Sequence, residues 1–112
     1  MSVPHPLPDS LVELIAQRFR VLGEPARIKL LDALRSGPAS VGELATRVGL
    51  SQQNASKHLG VLLKAGIVGR RKVGTSAFYR VTDDSVYALC EQVCGGLQNQ
   101  LAGLSAVVDS AA

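Results

Sequence analysis

The amino-acid sequence predicts a mainly α-helical fold with one small β-hairpin, an α+β class, and three observations support this. Apolar residues recur at helical spacing over most of the chain. Breaks that contain glycine or proline divide that pattern at 23–25, 36–38 and 49. Two runs of β-branched and aromatic residues flank a glycine-containing turn at 74–76. With 112 residues, of which 46% are hydrophobic, the chain has material for one domain with a modest core.

The N-terminal third predicts an arm followed by two helices. Three prolines within residues 1–9 predict a flexible, extended arm, after which Asp9 or Ser10 is expected to cap a helix running to about residue 21. The break at 23–25 ends it. Pro25 suits the first turn of a second helix, predicted at about 25–35. The apolar residues that recur at helical spacing on these helices are Leu11, Leu14, Ile15, Phe19, Leu22, Ile28, Leu30, Leu31 and Leu34.

The central segment predicts two helices joined by a tight turn. Ser40 begins the first, with Glu43 in the position that completes a capping box, and Gly49 ends it. Ser51 then caps a second helix that reaches about residue 63. A short and a longer helix joined in this way form a helix-turn-helix. Their expected inward residues are Val41, Leu44, Ala45, Val48, Leu59, Leu62 and Leu63.

The remaining third predicts a hairpin and a long terminal helix. Ile67–Val73 and Ala77–Thr82 read as strands joined through 74–76, which places a wing directly after the helix-turn-helix. Asp83 or Asp84 is expected to cap a helix of about 84–107 whose apolar stripe favours pairing with another subunit. That stripe consists of Val86, Leu89, Val93, Leu97, Leu101, Leu104 and Val107. We therefore predict a winged helix-turn-helix homodimer, with one domain for DNA binding and dimerisation at 10–107 and a C-terminal tail at 108–112.

The stretch S-Q-Q-N-A-S-K-H-L-G-V-L at 51–62 predicts a DNA-recognition helix. Glutamine, asparagine and serine side chains both donate and accept hydrogen bonds, as the reading of base edges requires. The segment 57–72 contains five lysines or arginines and no acidic residue, and the net charge of +3 agrees with an anionic partner, double-stranded DNA. The predicted DNA-binding residues are Ser51, Gln52, Gln53, Asn54, Ser56, Lys57, His58, Arg71 and Lys72, with packing as the alternative role for His58.

Several motifs in a fixed order support this interpretation. They are F-x-x-L-G-E-P-A-R-I-K-L-L at 19–31, V-G-E-L-A at 41–45, V-G-L-S-Q-x-x-x-S-K-H-L-x-x-L at 48–62 and A-G-I-V at 65–68, followed by Gly74 and Phe78-Tyr79. The chain thereby resembles the ArsR/SmtB family of winged-helix repressors over nearly its whole length. The resemblance implies a homodimer with the first and last helices at its interface. It also implies binding to an inverted-repeat operator and release by an effector.

The effector sites of the family have no direct counterpart in this chain. Arsenic, lead and cadmium sensors of the family often carry Cys-x-Cys in the helix before the recognition helix, where this chain has S-V-G-E-L-A at 40–45. Zinc and nickel sensors use aspartate and histidine on the last helix, but no histidine follows His58.

Cys90 and Cys94 are the two cysteines of the chain, and they stand four residues apart on the predicted terminal helix. They are either an effector site or interface packing. As an effector site, the pair would take a trivalent arsenical, a soft metal ion, or an oxidant or persulfide, and no resident cofactor is expected.

Other classes of protein are disfavoured. No apolar run approaches the length of about 18 residues that a membrane span requires, and the N-terminus lacks the pattern of a signal peptide, so a cytoplasmic location with reduced thiols is expected. Phosphate loops, nucleophile triads and paired acid/base carboxylates are not recognisable, and we therefore expect no enzyme activity. A winged-helix module that binds another protein instead of DNA is the alternative, but the polar face of 51–63 disfavours it.

Overall fold

The computed structural model describes residues 2–111, with the side chains at 107, 108, 110 and 111 outside that description. The chain divides into two compact units, Met1–Thr82 and Asp83–Ala112. The first unit contains helices α1 (Asp9–Leu22), α2 (Pro25–Ala33), α3 (Val41–Val48) and α4 (Gln52–Lys64), and strands β1 (Ala39–Ser40), β2 (Val68–Val73) and β3 (Ser76–Val81). The second contains helix α5 (Ser85–Ala111). The predicted α+β winged helix-turn-helix is confirmed.

Helix α1 begins at Asp9, and the prediction that Asp9 or Ser10 caps it was wrong. Pro8 is the N-cap residue, and its carbonyl accepts hydrogen bonds from the N–H groups of Leu11 and Val12 at 3.0 Å. Asp9 lies in the first turn instead, where a carboxylate interacts favourably with the helix dipole. The domain start predicted at residue 10 therefore falls inside the first turn.

Helix α2 begins with Pro25, as predicted, because proline has no N–H to leave unpaired in the first turn. It ends at Ala33, two residues before the predicted end, and Leu34–Ser36 continue it as one 3₁₀ turn. Gly37 then adopts a φ of 122°, which a residue with a side chain rarely does, and the chain turns into β1.

The helix-turn-helix forms from local signals that the sequence carries. The Ser40 hydroxyl accepts from the Glu43 N–H at 3.2 Å while the Glu43 carboxylate accepts from the Ser40 N–H at 3.2 Å, so the predicted capping box is confirmed. Gly49 ends α3 with a φ of 72°. The Ser51 hydroxyl accepts from the Asn54 N–H at 3.1 Å and fixes the start of α4. These caps set the turn between the two helices.

The wing is an antiparallel hairpin completed by a third strand. Strands β2 and β3 pair from Val68↔Val81 to Val73↔Ser76, and Gly74 takes a φ of 63° in the two-residue turn. Strand β1 pairs with β3 on its other side, which gives the order β1-β3-β2. The sequence does not reveal β1, because two residues cannot display a period-two alternation. This strand joins the beginning of α3 to the wing.

The core of the first unit is made of small and branched apolar side chains from all its elements. Leu30, Leu44, Leu59, Leu62 and Ile67 are fully buried. Four residues of the apolar pattern predicted for the first two helices are exposed: Leu14, Ile15 and Phe19 on α1 and Ile28 on α2. Helical periodicity identifies the apolar face but does not tell which molecule covers it. One chain leaves most of the apolar face of α1 in contact with solvent.

Helix α5 is longer than predicted and forms the second unit. It runs to Ala111, about 40 Å at 1.5 Å per residue, so residues 108–111, predicted as a tail, continue the helix. Ala112 and the side chain of Val107 in the predicted stripe lie outside the described residues. The Asp83 carboxylate accepts from the Ser85 N–H at 3.2 Å and from the Ser85 hydroxyl, in agreement with the predicted acidic cap. Among the helices described, none is both long and apolar enough to cross a membrane.

Candidate nucleic-acid interface and thiol pair

Helix α4 has an inward apolar face and an outward polar face. Ala55, Leu59 and Leu62 are each 0% exposed, and they follow one another at spacings of four and three residues. The opposite face contains Gln53, Ser56 and Lys57, again at helical spacing. The exposed residues of this helix and its cap are Ser51, Gln52, Gln53, Asn54, Ser56, Lys57, Gly60 and Lys64. None of them is acidic, so nothing on this face repels a phosphate backbone.

His58 is the exception among the predicted DNA-binding residues of α4. It is half-buried, three residues after Ala55 and four before Leu62, and therefore lies at the margin of the inward face. Its Nδ1 atom accepts a hydrogen bond from Arg27 Nε at 3.2 Å. The structure thus places one ring nitrogen of His58 against α2, which corresponds to the packing role that the sequence left open.

Arg71 and Lys72 of the wing are both exposed, as a phosphate contact requires, but they lie on opposite faces of the hairpin. Arg71 pairs with Phe78 and shares a face with Arg80, which the sequence reasoning did not single out. The alternation from Phe78 to Arg80 was the signal that could have found it. A shallow pocket of about 560 Å³ lies there, lined by Pro38, Arg70, Arg71, Val73, Phe78 and Arg80.

Gly69 creates the space that the Arg80 side chain occupies. A Cβ atom at position 69 would lie 3.1 Å from the guanidinium carbon of Arg80 and 2.9 Å from a methyl group of Thr82. Contacts this short would displace the guanidinium from its place across the strand pair. Glycine at this position therefore leaves room for the Arg80 side chain to lie across the strand pair, while the register of β2 and β3 places Arg80 on the same face as Arg71.

Cys90 and Cys94 both lie on α5, four residues apart, as predicted. Both are free thiols; Cys90 is half-buried and Cys94 is exposed. In the described part of the chain, no group of three or more histidine, cysteine or acidic side chains is arranged to hold a metal ion. Each chain thus contributes two thiols to any soft ligand at this position.

The thiols lie within an exposed apolar stripe of the same helix. Val93, Leu97, Leu101 and Leu104 are each more than half exposed. Counted from Cys90, the stripe continues at intervals of three, four, seven, eleven and fourteen residues, which is the spacing of a single helical face. Large apolar stripes of this kind mark interaction surfaces.

A helix-turn-helix with a cationic wing, a polar and acid-free recognition helix and a terminal helix with an exposed apolar stripe is typical of a DNA-binding transcription regulator. A family model described as a helix-turn-helix domain matches residues 22–71. The HTH-type transcriptional regulator KmtR of Mycobacterium tuberculosis is 40% identical over 88 residues, which cover 79% of this chain and 68% of that protein. The biofilm growth-associated repressor of Agrobacterium fabrum is 36% identical over 90 residues, covering 80% and 77%.

A solved structure agrees with these relatives. The homodimeric winged helix-turn-helix DNA-binding domain of a possible ArsR-family transcriptional regulator from Mycobacterium bovis superposes with a TM-score of 0.73 at 28% identity, covering 90% of this chain and 94% of that one. The chain belongs to the ArsR/SmtB family of winged helix-turn-helix transcription regulators. Its partners are DNA and a second copy of the chain.

Proposed function

We propose that the protein is a repressor whose hold on an inverted-repeat operator is released by a thiol-reactive effector at Cys90 and Cys94. The observation that supports this most strongly is the position of the two thiols within the exposed apolar stripe of α5. If this stripe pairs with its copy in the dimer, the thiols lie in the interface. A change at the thiols then alters the contact between the two chains.

Two effector chemistries suit a pair of thiols. A monosubstituted trivalent arsenical with two hydroxyl groups joins both sulfurs and releases two waters, and a linear soft cation binds two thiolates. Inorganic trivalent arsenic takes three, which requires thiols from both chains. Alternatively, an oxidant removes two electrons and two protons as the sulfurs join. A persulfide donor could also transfer its outer sulfur to one thiol, which becomes a persulfide while the donor leaves as a thiol. Of these two hypotheses, we favour an arsenical or soft metal ion as the effector over an oxidant or persulfide.

The polar face of α4 and the wing divide the contacts to DNA in this proposal. Gln53, Asn54 and Ser56 approach base edges, where a bidentate amide contact to adenine contributes about 1–3 kcal/mol of discrimination. Ser51, Gln52, Lys57, Arg71 and Lys72 contact phosphates, and Arg80 joins them because it shares a face with Arg71. Phosphate contacts hold the protein in register without selecting a sequence.

The effector acts through the dimer. Ligation of thiols at a helix pair favours one crossing geometry of the two α5 helices, and the distance between the two recognition helices changes with it. Coupling free energies of about 1–3 kcal/mol are typical, and they change affinity by roughly 5- to 150-fold. A modest preference of the effector for one geometry is therefore sufficient for release.

Operator affinity of the wild type and of the variants Cys90→Ser and Cys94→Ser tests the proposal, measured with and without a phenylarsenical, cadmium and a persulfide donor. We expect all three proteins to bind the operator equally without effector. The inducing compound should weaken the wild type by roughly 5- to 150-fold and leave both variants bound. Release of both serine variants by the same compound would show that the cysteines are interface packing. Absence of any sequence-selective DNA binding would favour the protein-interaction module.

A further inference from the structure

We propose that Arg27 is a positioning residue for the recognition helix and that His58 is the group through which it acts. Arg27 Nε donates to His58 Nδ1 on α4 at 3.2 Å, and Arg27 Nη1 donates to the Val21 carbonyl in the last turn of α1, also at 3.2 Å. Arg27 itself lies in the first turn of α2. One half-buried guanidinium thus connects three helices of the first unit. This inference rests on the DNA-reading part of the proposed function and not on the thiol effector.

The chemistry of arginine makes this connection directional. The guanidinium is planar and its N–H groups point in fixed directions, so two simultaneous acceptors determine its orientation. A charged donor also forms a stronger hydrogen bond than a neutral one, and partial burial of this pair shields it from water. An apolar contact at the same place would fill space without fixing an angle.

Because His58 lies on the recognition helix, the connection to Arg27 affects how that helix is presented to DNA. Ala55, Leu59 and Leu62 anchor α4 in the core through apolar contacts, which have no preferred direction, whereas a hydrogen bond does. His58 lies at the edge of that face, where a lateral restraint opposes rotation most effectively. A rotation would move Gln53 and Ser56, on the outward face, away from the base edges that they read.

The hydrogen bond also assigns the state of the imidazole ring. Arginine only donates, so Nδ1 accepts in this contact and the ring N–H lies on Nε2. The nitrogen engaged by Arg27 is therefore not available to a base. His58 was predicted as a DNA contact; here it holds the helix that makes the contacts.

Variants of both residues distinguish a positioning role from a simple effect of positive charge and from an effect on the stability of the fold. Arg27→Met removes the donors and keeps the aliphatic stem, and His58→Leu removes the acceptor and keeps apolar volume. His58→Asn places an amide oxygen close to the position of Nδ1 and serves as the conservative rescue. Lys29→Met, an exposed neighbour on α2, removes one positive charge without touching the connection. Affinities for operator and for random DNA, measured without effector, are compared with the thermal midpoint of each protein.

We expect Arg27→Met and His58→Leu each to lose about tenfold or more in operator affinity, the scale of one hydrogen bond to a charged group, with random-DNA affinity within about twofold. The double variant should be no worse than Arg27→Met alone, because His58→Leu breaks a contact that Arg27→Met has already removed. His58→Asn and Lys29→Met should stay within about threefold of wild type. In the free protein, nitrogen NMR should show His58 with its proton on Nε2 and an Nδ1 signal shifted by the hydrogen bond it accepts, and that Nδ1 shift should be lost in Arg27→Met.

Other outcomes overturn the proposal. Additive losses in the double variant would show that the two residues act separately. A changed base preference at one operator position in both His58→Leu and His58→Asn would make His58 a direct reader of DNA. Equal losses of affinity for operator and for random DNA, together with a lowered thermal midpoint, would show that the contact between Arg27 and His58 only stabilises the fold. A wild type with the expected His58 tautomer but no preference for operator would contradict the proposed DNA-reading function itself, and the NMR result distinguishes that case.

Discussion

Helices α4 and α5 are both amphipathic, yet the chain buries the apolar face of α4 and leaves that of α5 exposed. The inward face of α4, formed by Ala55, Leu59 and Leu62, is completely buried, and its polar face is exposed to solvent. The apolar stripe of α5 remains exposed along Leu97, Leu101 and Leu104. The first helix is therefore fixed by its own chain and offers polar groups to a ligand. The second offers apolar surface, and its thiols lie within that surface.

The difference separates the helix that offers polar groups for DNA recognition from the helix that offers an apolar face for assembly. A helix that reads DNA needs a rigid orientation, which a buried face, a serine cap and the Arg27 connection supply within one chain. A helix that pairs subunits needs an unsatisfied face, which the partner covers. The exposed Leu14, Ile15 and Phe19 of α1 belong to the second kind of surface. Each prediction below changes one side of this comparison.

The largest expected effect comes from Leu97→Asp, which places a charge in the stripe of α5. Burying an unpaired carboxylate is costly, so the dimer should dissociate into monomers. Operator affinity should then fall by about 10²- to 10⁴-fold, because binding of the second half-site is no longer intramolecular. Sedimentation and operator titration measure both effects. Gln92→Asp, an exposed residue off the stripe, is the matched control and should remain dimeric; a dimeric Leu97→Asp would show that the stripe is not the interface.

Leu59→Ala tests helix α4, whose apolar face is buried within its own chain. Leu59 is 0% exposed, and truncation of a buried leucine lowers the free energy of unfolding by about 2–5 kcal/mol. Leu97→Ala removes the same atoms from an exposed position, and its effect should depend on protein concentration because it acts through the dimer. Chemical denaturation at several concentrations separates the two. Equal, concentration-independent losses for both variants would contradict the distinction between the helices.

The division of contacts to DNA predicts a smaller difference between Gln53→Ala and Arg71→Ala. Loss of the amide should cost about 1–3 kcal/mol on operator and relax selectivity at one position, with little change on random DNA. Loss of the arginine should weaken binding to all sequences and reduce the salt slope by about one unit. Titrations on both kinds of DNA at several salt concentrations measure this. Parallel effects of both variants on operator and random DNA would reject the assignment.

The smallest expected effect concerns the capping box of α3. The hydrogen bonds from the Ser40 backbone and side chain lower the pKa of Glu43 below its usual value of 4.5, with a further contribution from Arg47. Because the folded pKa is lowered, the carboxylate stabilises the fold above the ordinary pKa of glutamate. This contribution is lost as the pH falls through the lowered pKa. Titration of Glu43 by NMR should show a lowered pKa in wild type. In Ser40→Ala the pKa should rise only by the contribution of the lost hydroxyl and stay below normal, because the backbone N–H of residue 40 is retained. An unchanged titration in Ser40→Ala would contradict the cap.

The sequence predicts best those features that depend on neighbouring residues. The capping box at Ser40, the glycine stop at Gly49 and the serine cap of α4 are set by hydrogen bonds within a few residues, and all three are observed. The start of α1 was misplaced because Pro8, without a capping side chain, took the position expected for an acidic or hydroxyl residue.

Features that depend on distant residues escaped prediction. The two-residue strand β1 exists only because β3 lies beside it. The bond from Arg27 to His58 joins residues 31 positions apart, and neither residue type indicates it. Periodicity identified the apolar face of α1 but not what covers it, and the single chain leaves most of that face exposed. An apolar face has the same spacing whether its own chain or a second copy covers it.

The most direct test is a footprint on operator DNA combined with the binding stoichiometry. Two chains that pair through α5 and read DNA through α4 should protect two segments whose centres lie about one helical turn apart, roughly 10 base pairs, in an inverted repeat. Two chains should bind each duplex. Protection of one half-site by a single chain at full strength would contradict the account, because one chain would then read its operator without the partner that the exposed face of α5 demands.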